Sequence, residues 1–300
     1  MTRVACIDIG TVTARLAVAD VEDGRVVRLA KRSQICNLGQ DVDKTHRLRQ
    51  DAMERVFGCV AAYLEEARRA GATSACCTLT SAARDAQNAR ELGAALASLG
   101  LEPMVIPGAV EGSLTFLGVA QDFVGHRILV ADNGGGSTEL AMGCLGTDGI
   151  LELDFVRSVD VGCRRLTERF LAGDGPAAAD ALLAARELAG QKFAPVIAEG
   201  GLRAASGEKT AGSAAPERLV VCGGTVTTMV AVKKALDPYD PSQVHLATLC
   251  AADVQGIQDQ LAALSVEKRA ALPGIQPKRA PVILGGVCVV AELMAQTWFD

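Results

Sequence analysis

The sequence predicts an α/β protein made of two similar halves, each with a mixed β-sheet flanked by helices. Two observations support this prediction. The first half runs as three strands and then alternates helix with strand. Near Arg127 the order begins again with a strand, an aspartate, a glycine-rich turn and two further strands. A repeat of architecture with few identical residues indicates two domains, residues 1–125 and 126–300, with the boundary near Gly125.

The first half opens with strand-like segments and continues with helices. Strands are predicted over 4–9, 13–20 and 26–31, and the Asp-Gly turn between the last two favours a hairpin. An amphipathic helix over 45–70 ends at Gly71. The remaining predicted elements are a buried strand over 75–80, a helix over 81–99, a strand over 104–106 and a helix over 110–121.

The second half repeats this beginning. Strands are predicted over 128–131, 139–142 and 151–159, helices over 163–171 and 177–198, and a strand over 219–222. The stretch 200–216 is rich in Gly, Ala and Ser, so we expect it to form a mobile surface loop.

Composition and charge exclude several classes of protein. A formal net charge of −5 argues against a general electrostatic attraction to nucleic acid or acidic membranes. Apolar runs stay well below the roughly 20 residues that span a bilayer, and the first residues lack a secretory pattern. The ten cysteines include no C-x-x-C pair and lie mostly in apolar stretches, as Cys76 and Cys77 do, which favours buried thiols in a reducing cytoplasm.

Two turns with the same chemistry open the two halves. Asp8 precedes Gly10, Thr11 and Thr13, and Asp132 precedes a run of glycine and hydroxyl residues at Gly134, Gly135, Gly136, Ser137 and Thr138. Glycine lets backbone amides approach an anion closely, a hydroxyl adds a donor, and the aspartate is suited to Mg²⁺ beside phosphate. A single such turn is often only conformational, but two copies favour a phosphate site.

A third glycine turn, at Gly223, Gly224 and Thr225, follows a strand and begins a helix. The N-terminus of a helix has unpaired amide donors and the positive end of the helix dipole, and both favour phosphate. Taken alone, the turn is better explained as a tight strand-to-helix connection capped by Thr225.

Together these segments resemble the exopolyphosphatase and guanosine-pentaphosphate phosphohydrolase (Ppx/GppA) family. The resemblance covers nearly the whole chain and is most specific in residues 5–11, 80–86, 132–140, 160–167 and 223–227. It implies two actin/ribonuclease H-like domains of the actin and hexokinase superfamily, each with a mixed five-stranded sheet, and a cleft between them. It also implies a short two-domain member that forms a homodimer in the cytoplasm.

The resemblance implies roles for individual residues. Glu111 would position the attacking water, Arg84 would contact phosphate, and Asp8, Asp132 and Glu139 would hold Mg²⁺ or Mn²⁺. Without the resemblance, Glu111 is an acid favoured by a helix dipole, and Arg84 is a surface residue paired with Asp85 or Glu91.

The chain departs from the usual family pattern at Val12, Val110, Ser113 and Asn133. The expected activity is hydrolysis of the terminal phosphoanhydride of polyphosphate. One alternative is hydrolysis of guanosine pentaphosphate (pppGpp), for which the few aromatic residues supply no obvious purine platform. The other is a protein that senses polyphosphate or an alarmone without turning it over. We expect no nucleic-acid or membrane partner.

Overall fold

The computed structural model describes residues 1–205 and 215–300, so most of the loop predicted over 200–216 lies outside the described residues. The chain divides into two compact units, Met1–Pro107 and Gly108–Asp300. This division differs from the predicted boundary near Gly125, because the helix Gly108–Ala120 packs against the strands of the second sheet. Among the described residues, no helix is both long and apolar enough to cross a membrane.

The first unit contains a five-stranded sheet, as the family resemblance implies. Its strands are β1 (Thr2–Ile9), β2 (Thr13–Glu22), β3 (Arg25–Ile35), β4 (Ser74–Leu79) and β5 (Pro103–Val105). Its helices are α1 (Val42–Thr45), α2 (Gln50–Arg69), α3 (Ser81–Asp85) and α4 (Ala89–Ala97). The strand order is β3-β2-β1-β4-β5, with β1 antiparallel to β2 and parallel to β4.

The two faces of this sheet differ in composition because side chains alternate along each strand. One face carries Ile7, Ile9 and Leu16, which join a buried apolar core with Val56 and Val60 of α2. On β4 the same alternation separates two neighbouring cysteines that the sequence suggests are both buried. Cys77 is buried in the core, whereas Cys76 is exposed.

Two helices predicted as continuous are each interrupted, and the interruptions meet. Of the helix predicted over 45–70, only Thr45 lies in α1, residues 46–49 are not helical, and the rest forms α2 from Gln50. The helix predicted over 81–99 is divided between α3 and α4. The buried side chain of Asn88 donates to the carbonyl of Leu48 (3.1 Å) and accepts from its amide (2.7 Å). The amide of Gln87 bonds to the carbonyl of His46 (2.9 Å), where the backbone is left-handed. Tertiary hydrogen bonds therefore replace helical ones at both breaks.

The second unit begins with α5 (Gly108–Ala120) and contains a sheet of β6 (Arg127–Asn133), β7 (Thr138–Leu145), β8 (Leu151–Val159) and β9 (Arg218–Cys222). Its other helices are α6 (Cys163–Phe170), α7 (Ala179–Gly200), α8 (Gly224–Lys233), α9 (Pro241–Val244), α10 (Ala251–Ala262), α11 (Val266–Ala270) and α12 (Ile283–Thr297), with a 3₁₀ turn at Pro277–Arg279. The strand order is β8-β7-β6-β9, and β6 is parallel to β9.

The prediction of five strands in the second sheet is wrong, since four strands form among the described residues. After α8 the chain continues through Pro238 and Pro241 into α9. Proline has no amide hydrogen to donate to a strand ladder, so this segment is a poor candidate for a fifth strand.

Helices cover both faces of the second sheet. On one face, Phe116 of α5 packs against Ile128 and Val130 of β6. On the other, Leu129 packs in a core with Phe193 of α7 and Val289 of α12. Alternating residues of β6 therefore point to different layers, and Asp132 follows Val130 on the α5 side.

Candidate active site

The first two glycine turns have the same construction. Each joins antiparallel strands, and in each the amide of the first glycine donates to a carbonyl three residues later. The bond is 3.0 Å from Gly10 to Thr13 and 3.0 Å from Gly134 to Ser137. A Cβ added at Gly10 would lie 3.1 Å from the Thr13 carbonyl, and one at Gly134 would lie 3.0 Å from that of Ser137. A side chain would crowd the carbonyl at both positions, so the tight turn favours glycine there.

The N-terminus of α6 stabilises the second turn by hydrogen bonds to its carbonyl groups. The amides of Cys163 and Arg164 donate to the carbonyls of Gly134 (3.0 Å) and Gly135 (2.9 Å), and Nε of Arg165 donates to that of Gly136 (2.8 Å). Within the described ranges, the amides of Gly135 and Gly136 have no backbone acceptor. This is the arrangement expected of a turn that offers backbone N–H groups to an anion.

The hydroxyl groups of this turn have partners inside the protein. Ser137 Oγ donates to Oε1 of Glu139 (2.7 Å), and Thr138 Oγ1 donates to the carbonyl of Val161 (2.6 Å). Thr11 and Thr13 of the first turn are buried. Phosphate contacts by these four side chains stay predictions.

A row of polar side chains crosses the second sheet at one register. Ser158 of β8 is paired with Glu139 of β7, which is paired with Asp132 of β6, which is paired with Cys222 of β9. Residues directly opposite each other on neighbouring strands lie on the same face. Ser158 Oγ donates to Oε1 of Glu139 (2.7 Å), so this carboxylate accepts two serine hydroxyls.

The helix α5 brings a further carboxylate to this row. Glu111 lies in its first turn and is half-buried. A Cβ added at the neighbouring Gly112 would lie only 3.3 Å from Cβ of Glu139, so the helix backbone passes close to that strand. One turn further on, Thr115 Oγ1 donates to Oδ2 of Asp132 (3.2 Å). We call Glu111, Asp132 and Glu139 the carboxylate cluster.

Burial and charge in the cluster disfavour ionisation of Glu139. Burial, followed by the negative charge of Glu111, raises the pKa of Glu139 to about 8, and Asp132 adds to this effect. The hydroxyls of Ser137 and Ser158 oppose it. An anionic site of this kind attracts a proton or a cation.

The third glycine turn adjoins the second. Gly223 has a φ of 108°, which favours glycine, and a Cβ there would lie 3.4 Å from Oδ1 of Asp132. Gly223 itself caps α8, rather than Thr225, whose buried side chain packs beside Gly286. The glycine turns at 134–136 and 223–224 therefore meet at the end of two parallel strands.

Sequence analysis missed Ser158 and Arg279, as well as Thr115, which donates to Asp132. A Cβ at Gly224 would lie 2.5 Å from Cζ of Arg279, so this guanidinium lies against the first turn of α8. No motif marks Ser158, a single hydroxyl on an exposed strand. Arg279 lies in a basic 3₁₀ turn 55 positions beyond Gly224 (279 − 224), and only the fold brings them together.

The remaining residues assigned from the sequence belong to the first unit. Asp8 Oδ2 accepts from Nη1 of Arg15 (2.9 Å), and Oδ1 accepts from Thr78 (3.3 Å). Arg84 Nη1 donates to the carbonyl of Ile106 (3.1 Å). The metal role of Asp8 and the phosphate role of Arg84 stay predictions.

The donor chemistry of the cluster fits Mg²⁺. Among the described residues, no group of three or more His, Cys, Asp or Glu side chains is arranged to hold a metal ion by itself. Mg²⁺ usually binds through one or two carboxylates together with substrate phosphates and water, so a complete protein cage is not required. The paired carboxylates Asp132 and Glu139 provide such a partial set.

The raised pKa of Glu139 predicts a pH-dependent stability of the metal-free protein. An unfolded glutamate titrates near 4.5 and the folded one at about 8, so between these values the folded state binds the extra proton. The free energy of unfolding of the wild type, relative to that of Glu139→Gln, therefore falls as pH rises from about 4.5 to about 8. Outside this pH range the difference between the two proteins is constant. Urea denaturation of both proteins in EDTA measures it. A difference that does not vary with pH would contradict the assignment.

Comparison with solved structures identifies the class of protein. The chain is similar to a Ppx/GppA family member from Aquifex aeolicus, with a TM-score of 0.76 and 28% identity, covering 100% of this chain and 92% of that one. It is also similar to an exopolyphosphatase-like protein, with a TM-score of 0.85 and 30% identity, covering 99% of this chain and 89% of that one. The predicted actin/hexokinase-like fold is confirmed.

The chain belongs to the Ppx/GppA phosphatase family, which it matches over residues 17–297. It is similar to exopolyphosphatase 2 of Mycobacterium tuberculosis, with 35% identity over 98% of this chain and 90% of the relative. Family membership confirms the predicted class of enzyme, a phosphoanhydride hydrolase.

Proposed function

We propose that the protein is an exopolyphosphatase that hydrolyses the terminal phosphoanhydride of inorganic polyphosphate and releases orthophosphate. The observation that carries the proposal is the carboxylate cluster beside two glycine turns in the second unit. The similarity to exopolyphosphatase 2 supports polyphosphate as the substrate.

In this proposal Glu111 orients the attacking water and accepts its proton. The residue is half-buried and lies at the N-terminal end of α5. Its negative charge raises the pKa of Glu139, which favours a proton or a bound cation at Glu139. A positioned carboxylate of this kind contributes roughly 10²- to 10⁴-fold to a rate.

The rest of the site would bind and neutralise the phosphoryl group. The amides of Gly135 and Gly136 and the first turn of α8 at Gly224 supply donors, and Arg279 supplies a positive charge. Asp132 and Glu139 would hold Mg²⁺, which when bound lowers the negative charge of the phosphate. Since phosphoryl transfer passes through a loose transition state, positioning and charge provide most of the catalysis.

The departures from the family pattern at Val110, Ser113 and Asn133 do not replace any of the three carboxylates. The side chain of Val110 is exposed, and Ser113 Oγ donates back to the carbonyl of Ala109 (2.8 Å) within α5. Asn133 is buried and its Nδ2 donates to the carbonyl of Gly286 (3.2 Å). All three carboxylates remain, which favours hydrolysis over a purely sensing role.

A phosphate-release assay with long polyphosphate, short polyphosphate, pppGpp and ATP tests the proposal. We expect the highest kcat/KM with polyphosphate. Preferential turnover of pppGpp would make the protein a guanosine pentaphosphate phosphohydrolase. Binding of either ligand without phosphate release would make it a sensor.

Ser158 provides a prediction specific to this structure. Its hydroxyl is one of two that orient Glu139, so Ser158→Ala should raise the Mg²⁺ concentration for half-maximal activity roughly tenfold, as loss of such supporting contacts usually does. Ser158→Thr keeps the hydroxyl and should restore most of the metal affinity. A metal titration of phosphate release measures both. Equal Mg²⁺ dependence in all three proteins would remove Ser158 from the site.

A further inference from the structure

A pair of thiols lies on the exposed face of the first sheet. Cys6 of β1 and Cys76 of β4 are directly paired in the parallel register, and both are exposed. The neighbour of Cys6 on its other side is Ala17 of β2, a small residue. Both sulfur atoms are therefore open to a reagent in solution.

The two strands bring these thiols into contact. Neighbouring strands are about 4.7–4.9 Å apart, within the range of roughly 4.4–6.8 Å between the Cα atoms of disulfide-bonded cysteines. The side chains of Cys6 and Cys76 are close enough to influence the ionisation of each other. A disulfide between them can therefore form without a rearrangement of the two strands.

From this geometry we propose that Cys6 and Cys76 are a redox-active dithiol that hydroperoxides oxidise reversibly to a disulfide. The inference is independent of the proposed substrate. It differs from the prediction that the cysteines serve only as buried apolar side chains.

The chemistry assigns different roles to the two sulfurs. The contact with Cys6 lowers the pKa of Cys76, so Cys76 is the thiol that more readily forms the attacking thiolate. The Cys76 thiolate attacks one oxygen of the hydroperoxide, which breaks the O–O bond and forms a sulfenic acid. The other oxygen leaves as an anion that takes up a proton, giving water from hydrogen peroxide or an alcohol from an organic hydroperoxide. The sulfur of Cys6 then displaces the sulfenic oxygen as water. Two thiols lose two electrons in total and one hydroperoxide gains them.

The chain contains its own control. Cys36 and Cys59 are a second pair of neighbouring thiols that influence the ionisation of each other, but they are 2% and 4% exposed. If contact between thiols alone were sufficient, both pairs would oxidise. If solvent access is also required, only Cys6 and Cys76 will react in the folded protein.

The test treats the reduced protein with hydrogen peroxide at pH 7, blocks the remaining thiols with N-ethylmaleimide and maps the peptides by mass spectrometry without reduction. We expect a cross-linked peptide containing Cys6 and Cys76, a mass loss of about 2 Da before alkylation, and full reversal by dithiothreitol. Cys36 and Cys59 should remain unlinked.

Two variants complete the experiment. Cys6→Ser should abolish the cross-link and leave Cys76 as a sulfenic acid that dimedone traps, whereas Cys36→Ser should change neither the product nor its rate. The proposal is overturned if peroxide leaves Cys6 and Cys76 alkylated as in the untreated protein. It is equally overturned if the linked peptides contain other cysteines.

Discussion

Replacing Glu111 by Gln is expected to lower the rate of polyphosphate hydrolysis by roughly 10²-fold or more, the usual contribution of a general base. The substitution keeps the size of the side chain and removes the proton acceptor. Since the helix and its packing against Glu139 are unchanged, binding of polyphosphate should persist. Initial-rate measurements of phosphate release, with binding measured separately by calorimetry, distinguish the two effects.

Asp180→Asn is the matched control for this variant. Asp180 is also an acid in the first turn of a long helix, α7, so its loss tests the general effect of removing charge from a helix N-terminus. It should leave turnover near that of the wild type. Turnover of Glu111→Gln within a fewfold of the control would exclude Glu111 as the base.

Removal of metal is expected to abolish activity. Chelation by EDTA should reduce phosphate release to background, and Mg²⁺ or Mn²⁺ should restore it, because Asp132 and Glu139 provide carboxylate oxygens for a hard cation. Asp132→Asn should require at least roughly ten times more Mg²⁺ for half-maximal activity, because loss of even a supporting contact costs about that much.

Asp154→Asn controls for the loss of one negative charge from the same sheet. Asp154 pairs with Arg127 (2.8 Å) and takes no part in the carboxylate cluster. Its Mg²⁺ dependence should match that of the wild type. Full activity of the wild type in EDTA would remove the metal from the proposed mechanism.

Most strands and turns could be predicted from the sequence because their signals are local. The glycine, hydroxyl and aspartate pattern at Gly10 and at Gly134 marks two hairpins, and the alternation of apolar residues marks the strands beside them. The breaks in the two helices of the first unit could not be predicted. They depend on hydrogen bonds between Asn88 and Leu48, 40 residues apart.

The candidate site could be predicted only in part for the same reason. A motif identifies Asp132 and Glu139, but their pairing depends on the register of β6 and β7. The approach of Glu111 depends on the packing of α5, and that of Arg279 on the fold of the second half. Neither Ser158 nor Arg279 belongs to a pattern that would single it out before the fold is known.

Ser158, Glu139 and Asp132 form a row only while β7 keeps its register with β6 and β8. The site therefore depends on the number of residues within β7, and not on the length of the connection from β7 to β8. Because side chains alternate, one residue inserted within β7 ahead of Glu139 would move this carboxylate into the apolar core with Leu129. Residues inserted in the 146–149 connection would leave it on its face. During divergence of such a protein, the number of residues in the 146–149 connection can therefore change, whereas the number of residues in β7 cannot.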